Sequence, residues 1–325
     1  MREDIEKALT VGVPTEELFK TYLATVCHLQ PEFIQAYQNQ EKEEANDIER
    51  KLPEGFIADF IDDSSISTHL RAMAVKYLEN PVENIDLLTS MLVRDQHPQL
   101  RLEAVRTLAM TPSDQAAEPL LEIARDADNP AELRAEALAG LECQSNDFSG
   151  EVKELLDDSE TDVQIEAARY LRTRLSSSGV REKLEEKFVS TGNEPLKRQI
   201  AMALPDDQLE DSDLKRPSSL EEWQTELSEA GDGDPERGRR VFYSVHSTCS
   251  TCHAVNERGG DLGPDLSNAG QSKTRSQLVH SILRPSEEIS PQWQGWYIQL
   301  KDGTRQNGSA DQRGIWRCRN LFPDR

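Results

Sequence analysis

Five consecutive residues carry the chemistry of this chain: Cys249-Ser250-Thr251-Cys252-His253. Two thiols three positions apart lie on one face of a single helical turn. There both can add to the two vinyl groups of one porphyrin. The next residue, His253, then presents its imidazole to the iron as the proximal ligand. A Cys-x-x-Cys-His run is accordingly an attachment signature for haem c. Two other chemistries use such a cysteine pair. A redox dithiol expects a thioredoxin-like βαβ context, which the flanking sequence lacks. A zinc site needs two further ligands at similar spacing, and His246, His280 and Cys318 do not form a second pair.

The elements that must position these residues surround them closely. Asp234-Pro235 is an N-cap followed by proline at the first helical position, which predicts a helix through Gly238 to Phe242. A short loop, 243–248, leads to Cys249. After His253 comes a glycine-rich loop, Gly259-Gly260-Asp261-Leu262, then Gly263-Pro264-Asp265-Leu266. This order resembles class I cytochromes c. The resemblance implies that Gly238 permits a close crossing with a C-terminal helix and that Phe242 covers one haem edge. It also implies that the Gly263-Pro264 loop offers the Pro264 carbonyl to the Nδ1 proton of the proximal histidine. The expected cofactor-binding set is Cys249, Cys252, His253, Pro264, Gly263 and Phe242, with His253 as the iron ligand. No catalytic residue is expected.

Upstream, residues 64–204 repeat. Leu70-Arg71-Ala72-Met73-Ala74-Val75 recurs as Leu100-Arg101-Leu102-Glu103-Ala104-Val105 and Leu133-Arg134-Ala135-Glu136-Ala137-Leu138. Val163-Gln164-Ile165-Glu166-Ala167-Ala168 and Leu196-Lys197-Arg198-Gln199-Ile200-Ala201 follow. Aligned on Ala74, Ala104, Ala137, Ala167 and Ile200, the steps are 30, 33, 30 and 33 residues. Such a period with two helices per unit marks an α-solenoid. Small alanines let paired helices approach, and the larger aliphatics fill the layer between repeats. The pattern resembles short bacterial HEAT repeats. No catalytic constellation appears in it, and Cys143 and the methionines read as packing. Before the repeats, Pro14-Thr15-Glu16-Glu17 opens an amphipathic stretch through Phe19 and Tyr22. Cys27 and His28 at its end read as a structural cysteine and a surface histidine.

The net charge of −23 is unevenly placed. Residues 235–325 carry 13 Lys/Arg against 9 Asp/Glu, +4 net, leaving 24 against 51, −27 net, on residues 1–234. The acidic body argues against nucleic acid and anionic membrane surfaces as partners. No apolar stretch approaches the roughly 18 residues of a membrane helix, so no transmembrane segment is expected. No positive n-region followed by an apolar stretch is visible in 1–20.

Repeats, haem motif and the segment Arg284 to Gly303 together resemble HEAT-repeat CxxCH haem-binding proteins of planctomycete-type bacteria, in the membrane-bound dehydrogenase family. That segment comprises Arg284-Pro285-Ser286-Glu287-Glu288-Ile289-Ser290-Pro291, a strand-like Trp296 to Leu300, and Lys301-Asp302-Gly303. The resemblance implies covalent haem c binding, electron transfer in a periplasmic or extracytoplasmic setting, and a redox partner such as a dehydrogenase domain. The sequence departs from the family after Gly308. The five methionines are 1, 73, 91, 110 and 202, so none follows His253 to serve as distal ligand. The tail from Ser309 shows no helical or strand period and reads as a truncated or out-of-frame end.

The expected fold is mainly all-α: a HEAT-like α-solenoid followed by an incomplete class I cytochrome c-like domain. The expected layout is N-terminal helices over 1–60 and repeats over 61–205. A linker with a short helix covers 206–232, the haem domain 233–308 and an atypical tail 309–325. The functional expectation is haem-based electron transfer with the array as docking scaffold. The alternative is an interaction scaffold whose haem domain does not function. Enzymatic activity by the chain itself is not expected, because no acid–base pair is placed to assist an open iron site.

Overall fold

Leucine and alanine at helical spacing, punctuated by Asn-, Asp- and Pro-bearing turns, fold residues 56–201 into paired helices. The computed structural model describes residues 15–19, 55–78, 80–93, 96–205, 214, 217–229, 231–256, 258–260, 262–290, 293, 295–299, 301, 303, 305–310 and 316–318. Cys27 and His28 lie outside the described residues. The chain divides into two compact units, Met1–Leu209 and Glu210–Arg325.

In the first unit the leading helices of the pairs are α1 (Phe56–Asp62), α3 (Ile85–Ser90), α5 (Asp114–Arg125), α7 (Ser149–Glu154) and α9 (Val180–Ser190). The following helices are α2 (Thr68–Val75), α4 (Pro98–Ala109), α6 (Ala131–Leu141), α8 (Thr161–Leu171) and α10 (Glu194–Ala201). The five aligned positions, Ala74, Ala104, Ala137, Ala167 and Ile200, are all fully buried. Successive second helices pack on one another, so the repeat read in sequence is a repeat of core positions. Phe19 is fully buried and stacks on Phe60, with ring centroids 4.8 Å apart.

The arginine of the repeat signature has a role that its position in a polar-looking dipeptide hides. Arg71 Nε donates to the Ile61 carbonyl at 2.6 Å, Arg101 Nε to Leu92 at 3.1 Å and Arg134 Nε to Ala124 at 3.0 Å. Each guanidinium thus satisfies a carbonyl at the end of the preceding helix, where no intrahelical donor remains. Two of them also reach forward. Arg101 donates to Asn129 Oδ1 at 2.6 Å, and Arg134 forms a two-pronged pair with Asp158. Asn129 and Asp158 stand in the turns before α6 and α8, so these arginines tie one repeat to the next.

Helices α6 and α4 approach closely at Gly140. A Cβ there would stand 2.6 Å from Ala109 Cβ and 2.7 Å from Ala109 Cα in α4. Gly140→Ala gains about 1 kcal/mol of intrinsic helix propensity. Against that, backbone must shift to admit the methyl, at about 1–3 kcal/mol for overpacking. The expected outcome is net destabilisation, read as a lower urea midpoint; an unchanged or raised midpoint would show that the two helices separate freely.

At the C-terminal end of α6, Glu142 is buried beside α8. Burial pushes its carboxyl up to about 7; Arg169 draws it back down and Glu166 adds to the rise. Between the ordinary carboxylate range and pH 7 the folded chain holds a proton that the unfolded chain has released. Stability from this group is therefore full at the acid end and is lost as pH rises through 7. Glu142→Gln should stabilise the chain above pH 7 by on the order of 1–3 kcal/mol and leave it little changed near pH 4. Paired melts of wild type and variant across that range check it, and a pH-independent difference would count against it.

The second unit starts with α11 (Leu220–Glu229) and α12 (Pro235–Tyr243), followed by the single turn α13 (Cys249–Cys252). A two-stranded antiparallel hairpin, β1 (Ala254–Val255) and β2 (Arg258–Gly259), comes next. Then come α14 (Ala269–Ser272), α15 (Arg275–Leu283) and a three-stranded antiparallel sheet of β3 (Gly295–Gln299), β4 (Arg305–Ala310) and β5 (Trp316–Cys318). The strand-like reading of 296–300 corresponds to β3. The tail, read as lacking strand period, contributes β5, with Cys318 opposite Gly308. Three residues are too few for a period of two to register, and pairing with β4 supplies the order instead. Helix α11, inside the segment read as a linker, packs on α15. Arg275 donates to the Leu227 carbonyl at 2.9 Å, and Gln224 Nε2 to Ser276 Oγ at 3.0 Å.

Candidate functional site

Helix α12 begins as its sequence dictates: the Asp234 side chain accepts from the Arg237 amide at 2.9 Å, with Pro235 at the first helical position. That backbone hydrogen bond holds the Asp234 carboxyl below its ordinary value. The helix ends at Tyr243. Ser247 Oγ donates to the Val241 carbonyl at 2.6 Å, closing the last turn. Thr248 then takes a left-handed conformation, φ 54°, and turns the chain into α13.

The turn α13 places Cys249 and Cys252 on the surface, both with free thiols. The His253 amide donates to the Cys249 carbonyl at 3.0 Å and closes the turn. The glycine-rich loop then folds back along it, backbone against backbone. Gly260 N–H donates to the Ser250 carbonyl at 2.8 Å, Gly263 to Cys252 at 2.7 Å and Leu266 to Ala254 at 2.8 Å. These contacts leave no room for side chains. A Cβ on Gly260 would stand 2.1 Å from the Thr251 carbonyl oxygen, and one on Gly263 would stand 2.5 Å from His253 Cε1.

His253 Nδ1 lies 2.8 Å from the Pro264 carbonyl oxygen. A carbonyl only accepts, so Nδ1 carries the proton in the neutral ring and Nε2 keeps its lone pair. A half-buried imidazole with one nitrogen fixed as donor and the other left basic is what a metal requires of a histidine ligand. With two exposed thiols one turn earlier, the residues fit covalent attachment of a porphyrin and ligation of its iron. Elsewhere in the unit, Val241 and Val245 are 45% and 42% exposed, and Ile282 on α15 is 77% exposed. Among the described residues, no group of three His, Cys, Asp or Glu side chains could hold a metal ion.

Of the residues singled out by sequence, the structure brings Cys249, Cys252, His253, Gly263 and Pro264 into one hydrogen-bonded cluster. Phe242 is half-buried on α12 with its ring edge-on to Tyr243, centroids 5.0 Å apart. Gly238 was expected at a tight helix crossing, yet a Cβ there would meet nothing within 4 Å. The interhelical contact instead runs through α11 and α15. His280 is paired with Glu287, Nε2 to Oε2 3.0 Å, and His246 is exposed. The residue that sequence reasoning missed is Tyr243. Its hydroxyl lies 3.0 Å from the Val255 carbonyl and 3.2 Å from that of Arg258, joining α12 to the hairpin after His253. A second aromatic directly after Phe242, carrying a hydroxyl, was the available signal.

Two family models match parts of the chain. Residues 235–308 match the cytochrome c family model, and residues 59–142 match the HEAT repeats family model. The first match supports haem c, with its iron, as the cofactor of the second unit. No curated protein sequence matches the chain. Among solved structures, a designed armadillo repeat protein, YIII(Dq.V1)4CPAF in complex with the peptide (KR)4, matches at 18% identity and a TM-score of 0.38. That match covers 62% of this chain and 96% of the other.

Gly263→Ala tests the cluster without any cofactor. The added methyl must displace either the His253 ring or the Pro264 loop. Imidazole 15N shifts of the apo chain should report the Nδ1–H tautomer in wild type and a solvent-like mixture in the variant. An unchanged tautomer would mean that the Pro264 carbonyl is not what holds the proton.

Proposed function

We propose that the second unit is an electron-transfer module. Cys249 and Cys252 form the thioether links, and His253 Nε2 is the proximal ligand. The Pro264 carbonyl orients that imidazole, Gly263 lets the loop reach it, and Phe242 covers a haem edge. Bound there, haem c supplies a one-electron iron couple. The observation that carries the reading is the 2.8 Å approach of His253 Nδ1 to Pro264 O, beside two exposed thiols on the preceding turn. The protein's part is to hold the ligand nitrogen basic and its ring fixed, so that little reorganises when an electron arrives.

The array of helix pairs would serve as a docking scaffold for a redox partner, such as a dehydrogenase domain. Residues 1–234, which include the array, carry a net charge of −27, which would steer a basic partner surface and disfavour nucleic acid. Haem c attachment places the working site in the periplasm or another extracytoplasmic space. Among the described residues no helix is long and apolar enough to cross a membrane.

Expression of the 325-residue chain with a periplasmic export signal and haem c maturation factors tests this. Wild type should give a c-type pyridine haemochrome that survives acid–acetone extraction. Cys249→Ala and Cys252→Ala should each lose one thioether link, and the double variant should lose all covalent haem. With no methionine after His253, the reduced haem of this chain should also bind CO. A folded wild-type chain that takes no covalent haem under these conditions would favour the scaffold reading. A low-spin haem indifferent to CO would show that another side chain closes the distal side.

A further inference from the structure

We propose that Tyr243 is a positioning residue for His253, acting through the β1–β2 hairpin. Its hydroxyl sits at the turn end of that hairpin, 3.0 Å from the carbonyl of Val255 and 3.2 Å from that of Arg258. These two residues are direct partners in the hairpin register. Val255 lies two positions after His253, on the strand leaving the imidazole. Arg258 precedes Gly259, where the chain turns back along the His253 backbone towards Pro264. One hydroxyl therefore fixes both the strand that carries the histidine and the strand that leads to its hydrogen-bond acceptor. The phenol ring is itself held from two sides. Phe242 meets it edge-on with an interplanar angle of 82°, and the Arg239 guanidinium lies 5.0 Å from the ring centroid.

Backbone bonds from Gly260, Gly263 and Leu266, and one from Asn256 N–H to Ser267 Oγ at 2.7 Å, tie the loop to the turn and hairpin, but none joins them to α12. The hairpin has two residues per strand, and its turn contains Asn256 at φ 50°. A ladder of that length is not stable by itself and needs an outside contact to keep its shape. Tyr243 supplies that contact from the last residue of a capped helix. The hydroxyl, rather than the ring, makes it, so Tyr243→Phe removes the tie and leaves the packing in place.

This inference deepens the electron-transfer reading, but its test uses the apo chain and does not depend on haem loading. Tyr243→Phe should speed amide exchange of Gly260 and Gly263 by about fivefold or more, roughly what one net hydrogen bond is worth. It should also raise the Nε2–H tautomer of His253 in imidazole 15N spectra. Amides of α15 should keep their wild-type exchange rates, which separates a local effect from general loosening. Ser247→Ala is the control: it removes a hydroxyl bond at the same helix end without touching the hairpin, and should leave the His253 tautomer unchanged. In the haem-loaded chain the iron–histidine stretching band should shift with Tyr243→Phe. If the His253 tautomer and the Gly263 exchange rate are those of wild type in folded Tyr243→Phe, the proposal is wrong. It is equally wrong if Ser247→Ala produces the same changes, since helix-end fraying would then be the cause.

Discussion

An imidazole can offer a lone pair to a metal only if its other nitrogen keeps the proton, and here the Pro264 carbonyl keeps it on His253 Nδ1. Much else in the second unit follows from bringing that carbonyl within 2.8 Å. The loop after His253 must fold back onto the turn before it, close enough for the Gly260 and Gly263 amides to bond its carbonyls and for Leu266 to bond Ala254. At that distance a side chain at Gly260 or Gly263 would overlap the turn or the ring itself. The glycines are there because of the approach, and the approach is there because of the proton.

The first unit solves a related problem with side chains. A stack of helix pairs leaves carbonyls unbonded at each helix end, and burying them without donors would cost more than a kilocalorie or so apiece. Arg71, Arg101 and Arg134 place a guanidinium at these ends, and the latter two continue into the next turn. Arg134 is almost fully buried, so its pairing with Asp158 is worth keeping mainly because either charge alone would be stranded. The same residue type at the same place in three repeats thus joins layers that alanine and leucine alone would only stack.

The repeat period, the cysteine–histidine turn and the N-cap of α12 were legible because each depends on a few neighbouring residues. Periodic alanines report a buried face wherever they stand, and Asp-Pro reports a helix start. What sequence did not reveal depends on where distant segments meet. Arginine after leucine looks like a solvent-facing residue until the preceding helix ends against it. Gly238 invited a tight crossing, but a Cβ there would meet nothing within 4 Å among the described residues, and α11 packs on α15. Tyr243 looked like part of a connecting loop, since the two carbonyls it bonds lie 12 and 15 residues further on. Strand β5 owes its order to pairing with β4.

The two units also differ in what their described residues bury. The first has a continuous core, from Phe19 to Leu204. In the second, Val279 is buried on α15, while Val241, Val245 and Ile282 are open to solvent. Backbone hydrogen bonds can fix the geometry of a loop, but their net contribution to stability is small compared with apolar burial. An apolar macrocycle attached at Cys249 and Cys252 would bury apolar surface against the unit, and binding energy of that kind adds to folding stability. Haem would then be both the working group of the unit and a contributor to its stability. The array, whose side chains pack on one another, needs no such contribution.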